Sequence, residues 1–194
     1  MDGKPGLREK KKQRTRALIE GCALHLFVAQ GFIETTLDQI ADAAEVSNRT
    51  VNRYFATKEQ LVVGGMVDPV LKDAIRNAPR ELGDLAAIRA GMRNLYRNPP
   101  ELQRSRFALI IKTPGLRNGL IEVVEGYVNL VGAAIAARSG RPARDVHVRT
   151  IASAAGGVML SALADAIDCG ETDLETCLRN IDLGLAQLEA WIDD

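Results

Sequence analysis

The apolar residues of this chain recur at three- and four-residue steps from near its start to its end. Ile19, Cys22, Ala23, Leu26 and Phe27 fall at i, i+3, i+4, i+7 and i+8, the spacing of one buried stripe on an amphipathic helix. The last stripe, Leu174, Leu178, Ile181, Leu185, Leu188 and Ile192, steps by 4, 3, 4, 3, 4. No segment sustains the apolar/polar alternation of a half-buried strand, so the pattern predicts an all-α fold of about nine helices.

Breaks and caps divide the pattern. The first helix should run from about Arg8 or Lys10 to Gln30, with Gly31 suited to a left-handed terminal position. Thr36 opens a second helix, and Gln39 three residues on completes a capping box. Leu37, Ile40, Ala41 and Ala44 form its inner face; the two alanines let another helix come close. After Ala44-Glu45-Val46, Ser47 opens a third helix, with Val46, Val51 and Phe55 inward. Thr57 and Gln60 make a second capping box. The pattern carries that fourth helix through Val62, Met66, Leu71 and Ile75 to about Ala78, with a kink near Gly65 imposed by Gly64-Gly65 and Pro69.

Further helices are expected at Asp84–Arg97, with Leu85, Ile88, Met92 and Tyr96 inward, and at Glu101–Lys112 after Asn98-Pro99-Pro100. Thr113-Pro114 starts another, with proline in its first position. There Leu116, Leu120, Val123, Tyr127, Leu130 and Ala134 make one apolar face; Ile121, Val124, Val128, Val131 and Ile135 make a second. A helix apolar on two sides belongs in the middle of its domain. After Ser139-Gly140-Arg141-Pro142, a small-residue helix over about 143–168 contains Gly156-Gly157. Each glycine costs roughly 1 kcal/mol of helix stability relative to alanine, and close helix–helix contact is the expected compensation. Thr172 and Glu175 read as a third capping box, opening the final helix.

Residues 36–61 hold three helix starts in quick succession, the first two separated by a three-residue break. That is the layout of a helix-turn-helix. With its inner positions assigned, the third helix turns Asn48, Arg49, Thr50, Asn52 and Arg53 outward. Asn and Arg are the side chains suited to bidentate contacts with adenine and guanine edges in the major groove. Lys58 sits in the first turn of the fourth helix, where a cation opposes the helix dipole unless an anion such as a phosphate also sits there.

Residues 14–61 resemble the DNA-binding domain of the TetR family of bacterial transcriptional regulators. The likeness is carried by Ile19, Ala23, Leu26-Phe27, Gly31-Phe32, Thr35-Thr36, Ile40-Ala41, Ala44, Val46-Ser47, Thr50, Tyr54-Phe55, Lys58-Glu59 and Leu61. It implies a DNA-binding domain over 1–60 and a helical ligand-binding and dimerisation domain over 61–194. It further implies a homodimer, joined through its last two helices, whose third helices enter successive major grooves of a near-palindromic operator. Thr36, Tyr54 and Lys58 would meet phosphates, and Asn48, Arg49, Thr50, Asn52 and Arg53 would meet bases or nearby backbone, with Ser47 at the head of the reading helix. Repression, a small-molecule effector and a bacterial cytoplasmic, nucleoid-associated location follow from the same likeness. Two positions depart from the family pattern. Glu45 replaces a turn glycine, and Asn52 stands where an aromatic is frequent. In this family the fourth helix joins the two domains, so the kink near Gly65 is either a hinge or a static bend. Residues 100–190 are similar, more distantly, to a subgroup with acyl-CoA-like ligand-binding domains, through Arg106 to Leu120 and the late helix pair. That likeness suggests a long, largely apolar effector near Met92, Tyr96, Phe107, Ile110, Tyr127 and Met159, residues that ordinary core packing also explains.

Charge and composition narrow the alternatives. The chain is neutral overall, yet residues 1–16 hold seven bases against Asp2 and Glu9, a net +5 that leaves −5 for the rest. Such an arm suits an anionic partner, or is simply a solvated leader. No secretory signal or membrane-spanning apolar stretch is expected. With two histidines, no nucleophile motif, no phosphate-binding glycine loop and no metal-ligand spacing, neither a catalytic site nor a metal or resident cofactor is expected. Cys22, Cys169 and Cys177 have no redox-pair spacing and suit a reducing compartment. Two other readings remain: a helical interaction protein that has lost DNA binding, and a thiol-based redox sensor acting through Cys169 and Cys177.

Overall fold

A computed structural model describes residues 6–193; Asp2 and Lys4 of the basic arm lie outside them. The described residues form ten α-helices and one 3-10 helix, with no strand among them. They fall into two compact units, Met1–Gly65 and Met66–Asp194. The division comes five residues later than expected, because the fourth helix packs against the first and belongs to the first unit.

The first unit contains α1 (Leu7–Gln30), α2 (Leu37–Ala43), α3 (Asn48–Tyr54) and α4 (Gln60–Val63). α2 and α4 both pack on α1, and α3 packs on α2. This two-sided cover rotates the buried face of α1 toward Leu24, which is fully buried with Ile19, Ala23 and Phe27, while Cys22 and Leu26 are only half-buried. Gly31 ends α1 with φ 95° and ψ 152°, a positive-φ conformation more extended than the expected left-handed cap and open to glycine alone.

The long kinked helix expected over 57–78 is two helices. α4 stops at Val63, and α5 (Val70–Arg76) begins in the second unit. Gly64-Gly65 weakens helix continuation, Pro69 offers no amide hydrogen, and the Asp68 carboxylate accepts from the Val70 amide at 2.8 Å to start the new helix. The second capping box is also displaced by one residue. Thr57 Oγ1 accepts from the Gln60 amide at 3.3 Å, but Gln60 Oε1 reaches back to the Ala56 amide at 2.9 Å.

The second unit continues with α6 (Asp84–Leu95), α7 (Glu101–Lys112), the 3-10 helix Pro114–Gly119, α8 (Leu120–Ser139), α9 (Val146–Cys169) and α10 (Leu174–Asp193). α8 packs against both α5 and α9 and buries Leu120, Val123, Tyr127, Val131, Ala134 and Ile135, while Ile121 of the expected second apolar face is 68% exposed. A Cβ on Gly156 would lie 2.3 Å from Val128 Cγ2, so the glycine is what permits the α8–α9 approach; Gly157 has open space around it. α10 lies on α6, α7 and α9. Its cap is Asp173 rather than Thr172: the Asp173 carboxylate accepts from the Thr176 amide at 3.0 Å and its hydroxyl at 2.6 Å. Glu175 is instead drawn to Arg104 at 2.6 Å. Arg89 ties α6 to α10 through Asp182 at 3.2 Å and Glu189 at 2.6 Å, and Arg93 joins Asp182 at 2.6 Å. Contrary to expectation, Pro114–Ser139 and Val146–Cys169 are long and apolar enough to cross a membrane. Here the two pack against each other, with the larger part of each apolar window left unburied within this chain.

Candidate nucleic-acid interface

The helix-turn-helix is set by a dense local hydrogen-bond network. Thr36 Oγ1 accepts from the Gln39 amide at 3.2 Å while Gln39 Oε1 accepts from the Thr36 amide at 2.9 Å, the full capping box. Gln30 Nε2 donates to the same Gln39 oxygen at 2.9 Å and to buried Thr35 at 3.2 Å. Glu45 carries φ 52°, so the turn keeps the left-handed geometry that glycine usually supplies, and a glutamate bears the strain. Ser47 Oγ accepts from the Thr50 amide at 3.2 Å and bonds the Thr50 hydroxyl at 2.9 Å, so both hydroxyls brace the start of α3.

The remaining residues of α3 have different freedoms. Arg49 and Asn52 are exposed and have no hydrogen-bond or ionic partner among the described residues. Asn48 is exposed, but its amide nitrogen donates to the carboxylate of Asp38 on α2. Arg53 stacks over the Tyr54 ring at 5.2 Å. Both line an open groove with Arg8, Lys11, Lys12 and Thr15 of α1. Four cations thus converge where the described part of the basic arm meets the end of α3. Arg16, on the next turn, lies 4.8 Å over the Phe55 ring and anchors the end of α3 to α1.

Lys58, expected among the phosphate holders, is engaged within the fold. Its ammonium donates to the carbonyls of Phe32 at 2.7 Å, Thr35 at 3.0 Å and Ile33 at 3.4 Å, and stands 4.4 Å over the Phe32 ring. All three of its hydrogens are directed at the loop ahead of α2. The loop carbonyls, rather than an external anion, offset the unfavourable helix-end charge.

In the second unit, Met92, Tyr96, Phe107, Tyr127 and Met159 line one apolar cavity of about 60 Å³ together with Met66, Val67, Leu71 and Ile181. Ile110 is fully buried but outside this wall; three residues beyond Phe107, it stands about 4.5 Å further along α7. Tyr127 Oη donates to Met92 Sδ at 3.3 Å. Burial pushes the Tyr96 phenol up to about 12, with the charge of Asp68 adding to it, and raises Tyr127 as well. Both stay neutral hydrogen-bonding groups at ordinary pH. Cys177 also borders the cavity, and burial pushes its thiol up to about 11, far from a reactive thiolate. Cys169 is exposed.

Two family patterns match this chain. One, described as bacterial regulatory proteins of the tetR family, covers residues 22–63. The other, described as the MftR C-terminal domain, covers residues 84–191, more than half the chain. The chain belongs to the TetR family of bacterial regulatory proteins. It is 33% identical to the HTH-type transcriptional regulator TcmR of Streptomyces glaucescens over 70% of this chain and 65% of TcmR, and so spans just under two thirds of that relative. It is 28% identical to a protein named as mycofactocin biosynthesis transcriptional regulator MftR of Mycobacterium tuberculosis, over 79% of this chain and 80% of that one. In fold it is similar to Thermus thermophilus FadR, a TetR family transcriptional repressor solved with lauroyl-CoA. The TM-score is 0.59 at 18% identity, covering 89% of this chain and 92% of FadR.

TetR family membership makes the protein a DNA-binding transcriptional regulator rather than an enzyme, and gives the helix-turn-helix its purpose. Sequence reasoning missed Asp38 as a neighbour of the reading helix, the convergence of Arg8, Lys11 and Lys12 on its end, and Arg16 as its anchor. Asp38 reads on its own as a favourable acid in the first turn of α2. Lys10, Lys11, Lys12 and Arg14 were legible as a basic arm suited to DNA, but not the face that Arg8, Lys11 and Lys12 share with Arg53, which depends on how α1 passes the end of α3.

Proposed function

We propose that this TetR family protein is a ligand-responsive repressor that binds a near-palindromic operator as a homodimer in the bacterial cytoplasm. The observation that carries this reading is the outward face of α3. Arg49 and Asn52 are uncommitted, and Arg53 continues into the cationic groove of Arg8, Lys11 and Lys12. Uncommitted Arg and Asn suit base edges, and a flanking row of cations suits the phosphate backbone. The hydroxyl hydrogens of Thr36 and Tyr54 stay available for phosphate contacts, whereas Lys58 acts by holding the loop before α2.

Dimerisation is supported by apolar and small residues left outward on the last two helices. On α9 these are Ser153, Gly157, Leu160 and Ala164; on α10, Leu183, Trp191 and Ile192 are 60%, 69% and 61% exposed. Two copies of this helix pair would bury them in a four-helix bundle, and a two-fold protein matches an operator whose half-sites lie about one DNA turn apart. The effector is a largely apolar molecule seated against Met92, Tyr96, Phe107, Tyr127 and Met159. At about 60 Å³ the cavity is small beside the roughly 300–1,000 Å³ of common ligand sites, so binding requires its walls to repack. Met66, Met92 and Met159 are the flexible wall residues suited to that change. Lauroyl-CoA is the ligand of Thermus FadR; an acyl chain suits this cavity because of the lining here.

Selection of bound sequences from random DNA tests the reading, followed by affinity measured against salt. A two-fold symmetric site is expected, with affinity falling steeply as salt rises. Deletion of residues 1–12 should lessen the salt slope. Arg49→Ala or Arg53→Ala should each lower specific affinity about tenfold or more. Binding unaffected by salt and by both substitutions would instead support a helical interaction protein. A monomeric mass at micromolar concentration would overturn the dimer.

A further inference from the structure

We propose that Asp38 is a specificity-determining positioning residue, which turns Asn48 so that the reading helix presents a hydrogen-bond acceptor at its leading edge. The proposal rests on the operator reading above and concerns the base chosen there.

Asn48 is the first residue of α3 and Asp38 lies in the first turn of α2. Both are exposed, and the Asn48 amide nitrogen donates to the Asp38 carboxylate. A carboxylate at neutral pH has acceptors only, so it selects one of the two orientations of the Asn amide. The NH₂ group faces Asp38 and Oδ1 faces away. Left alone, an exposed asparagine could flip and serve either a donor or an acceptor on the base. Held by Asp38, it offers Oδ1 at the leading end of α3.

The major-groove edges divide cleanly against such a group. Adenine presents its N6 amine and cytosine its N4 amine, both donors; guanine O6 and thymine O4 are acceptors. An outward Oδ1 therefore favours an amino base on the strand it meets and repels a keto base. The second oxygen of Asp38 adds another acceptor beside it. That carboxylate also repels phosphates, so a residue that sharpens base choice here should weaken non-specific binding.

The test compares sequences bound from random DNA by the wild-type chain, Asp38→Ala, Asp38→Asn and Asn48→Ala, with folding checked by far-UV circular dichroism. Asn48→Ala identifies the half-site position that Asn48 reads. The expected wild-type result is an amino base there, preferred over a keto base by about tenfold. Both Asp38 variants should reduce that preference to about threefold or less, keep the other positions, and bind random DNA more tightly than wild type. A preference unchanged in both Asp38 variants, or a keto base at the position Asn48 reads, would overturn the proposal. If the wild-type chain enriches no sequence at all, the operator reading fails and this one fails with it. A wild-type site indifferent to Asp38 leaves the operator reading standing and removes only Asp38.

Discussion

The two units of this regulator achieve order by different means. In Met1–Gly65 the decisive contacts are polar: the Thr36–Gln39 box and the Ser47–Thr50 brace are local, and the Lys58 ammonium reaches three carbonyls more than twenty residues earlier. In Met66–Asp194 long apolar helices interlock, with few polar groups inside and the arginine–carboxylate cluster along α6 and α10. The difference follows from the work proposed for each unit. A surface that reads bases must hold exposed side chains at set angles, and local hydrogen bonds do that. A chamber that accepts an apolar effector needs packing that can loosen without stranding buried polar groups.

The largest effect should come from breaking the packing contact that most clearly belongs to the second unit. Gly156→Val places a side chain where even a Cβ would stand 2.3 Å from Val128 Cγ2. Overpacking of this kind costs about 3 kcal/mol. Chemical denaturation should show that loss, and Val128→Ala in the same chain should restore much of it. Additivity of the two substitutions would break the claim that this contact sets the α8–α9 distance.

Lys58→Met makes the matching attack on the first unit. It keeps the apolar stem over Phe32 but removes the charge from the carbonyls of Phe32, Ile33 and Thr35. The expected loss is about 2 kcal/mol, since hydrogen bonds to a charged group contribute more than neutral ones. Hydrogen exchange should rise at the loop before α2 and stay unchanged around the cavity. If stability holds and only DNA affinity falls, Lys58 is a phosphate contact after all.

These two substitutions also show what could be read from the chain alone. The caps at Thr36 and Ser47, the three-residue turn and the outward Arg49, Asn52 and Arg53 were legible because each depends on neighbours within four residues. Glu45 was legible as a conflict, and its φ of 52° shows that the turn geometry prevailed. The hold of Lys58 on the loop before α2 was not legible, because its carbonyl partners lie more than twenty residues earlier, across a fold that pattern does not reveal. The break between Val63 and Val70 was read as a kink, since glycine and proline mark a weak point without saying whether the helix bends or stops. In the cavity, Ile110 and Phe107 have the same signature in sequence, and only packing separates wall from core.

A smaller effect should appear in acid. Burial alone would raise the Asp182 carboxyl, but hydrogen bonds from Arg93 and Arg89, with their charges, outweigh it and hold it below the ordinary aspartate range. A carboxyl whose folded pKa is depressed contributes stability above its unfolded value, and loses it as pH falls through the folded one. The α6–α10 cluster should therefore weaken below about pH 4. Asp182→Asn should flatten the acid limb of a stability–pH curve while leaving the first unit's hydrogen exchange alone. An acid limb identical to wild type would show that the cluster adds nothing to the packing it borders.

The smallest change sharpens the comparison most, because its sign depends on what covers α9. Gly157 follows Gly156 directly, yet a Cβ there would meet nothing within 4 Å. In an isolated chain, Gly157→Ala should stabilise α9 by roughly 1 kcal/mol, the helix-propensity difference, and raise the melting temperature by a few degrees. In the proposed dimer the same methyl group points at a second copy, where small residues permit close approach. Sedimentation and melting measured over a range of concentrations separate the cases. A higher melting temperature with weakened self-association places Gly157 in the bundle, and its exposure in one chain then marks a surface held open for another. A higher melting temperature with association unchanged would mean that Gly157 is solvent-facing in the dimer as well. The contact between copies would then fall to Leu183, Trp191 and Ile192 on α10.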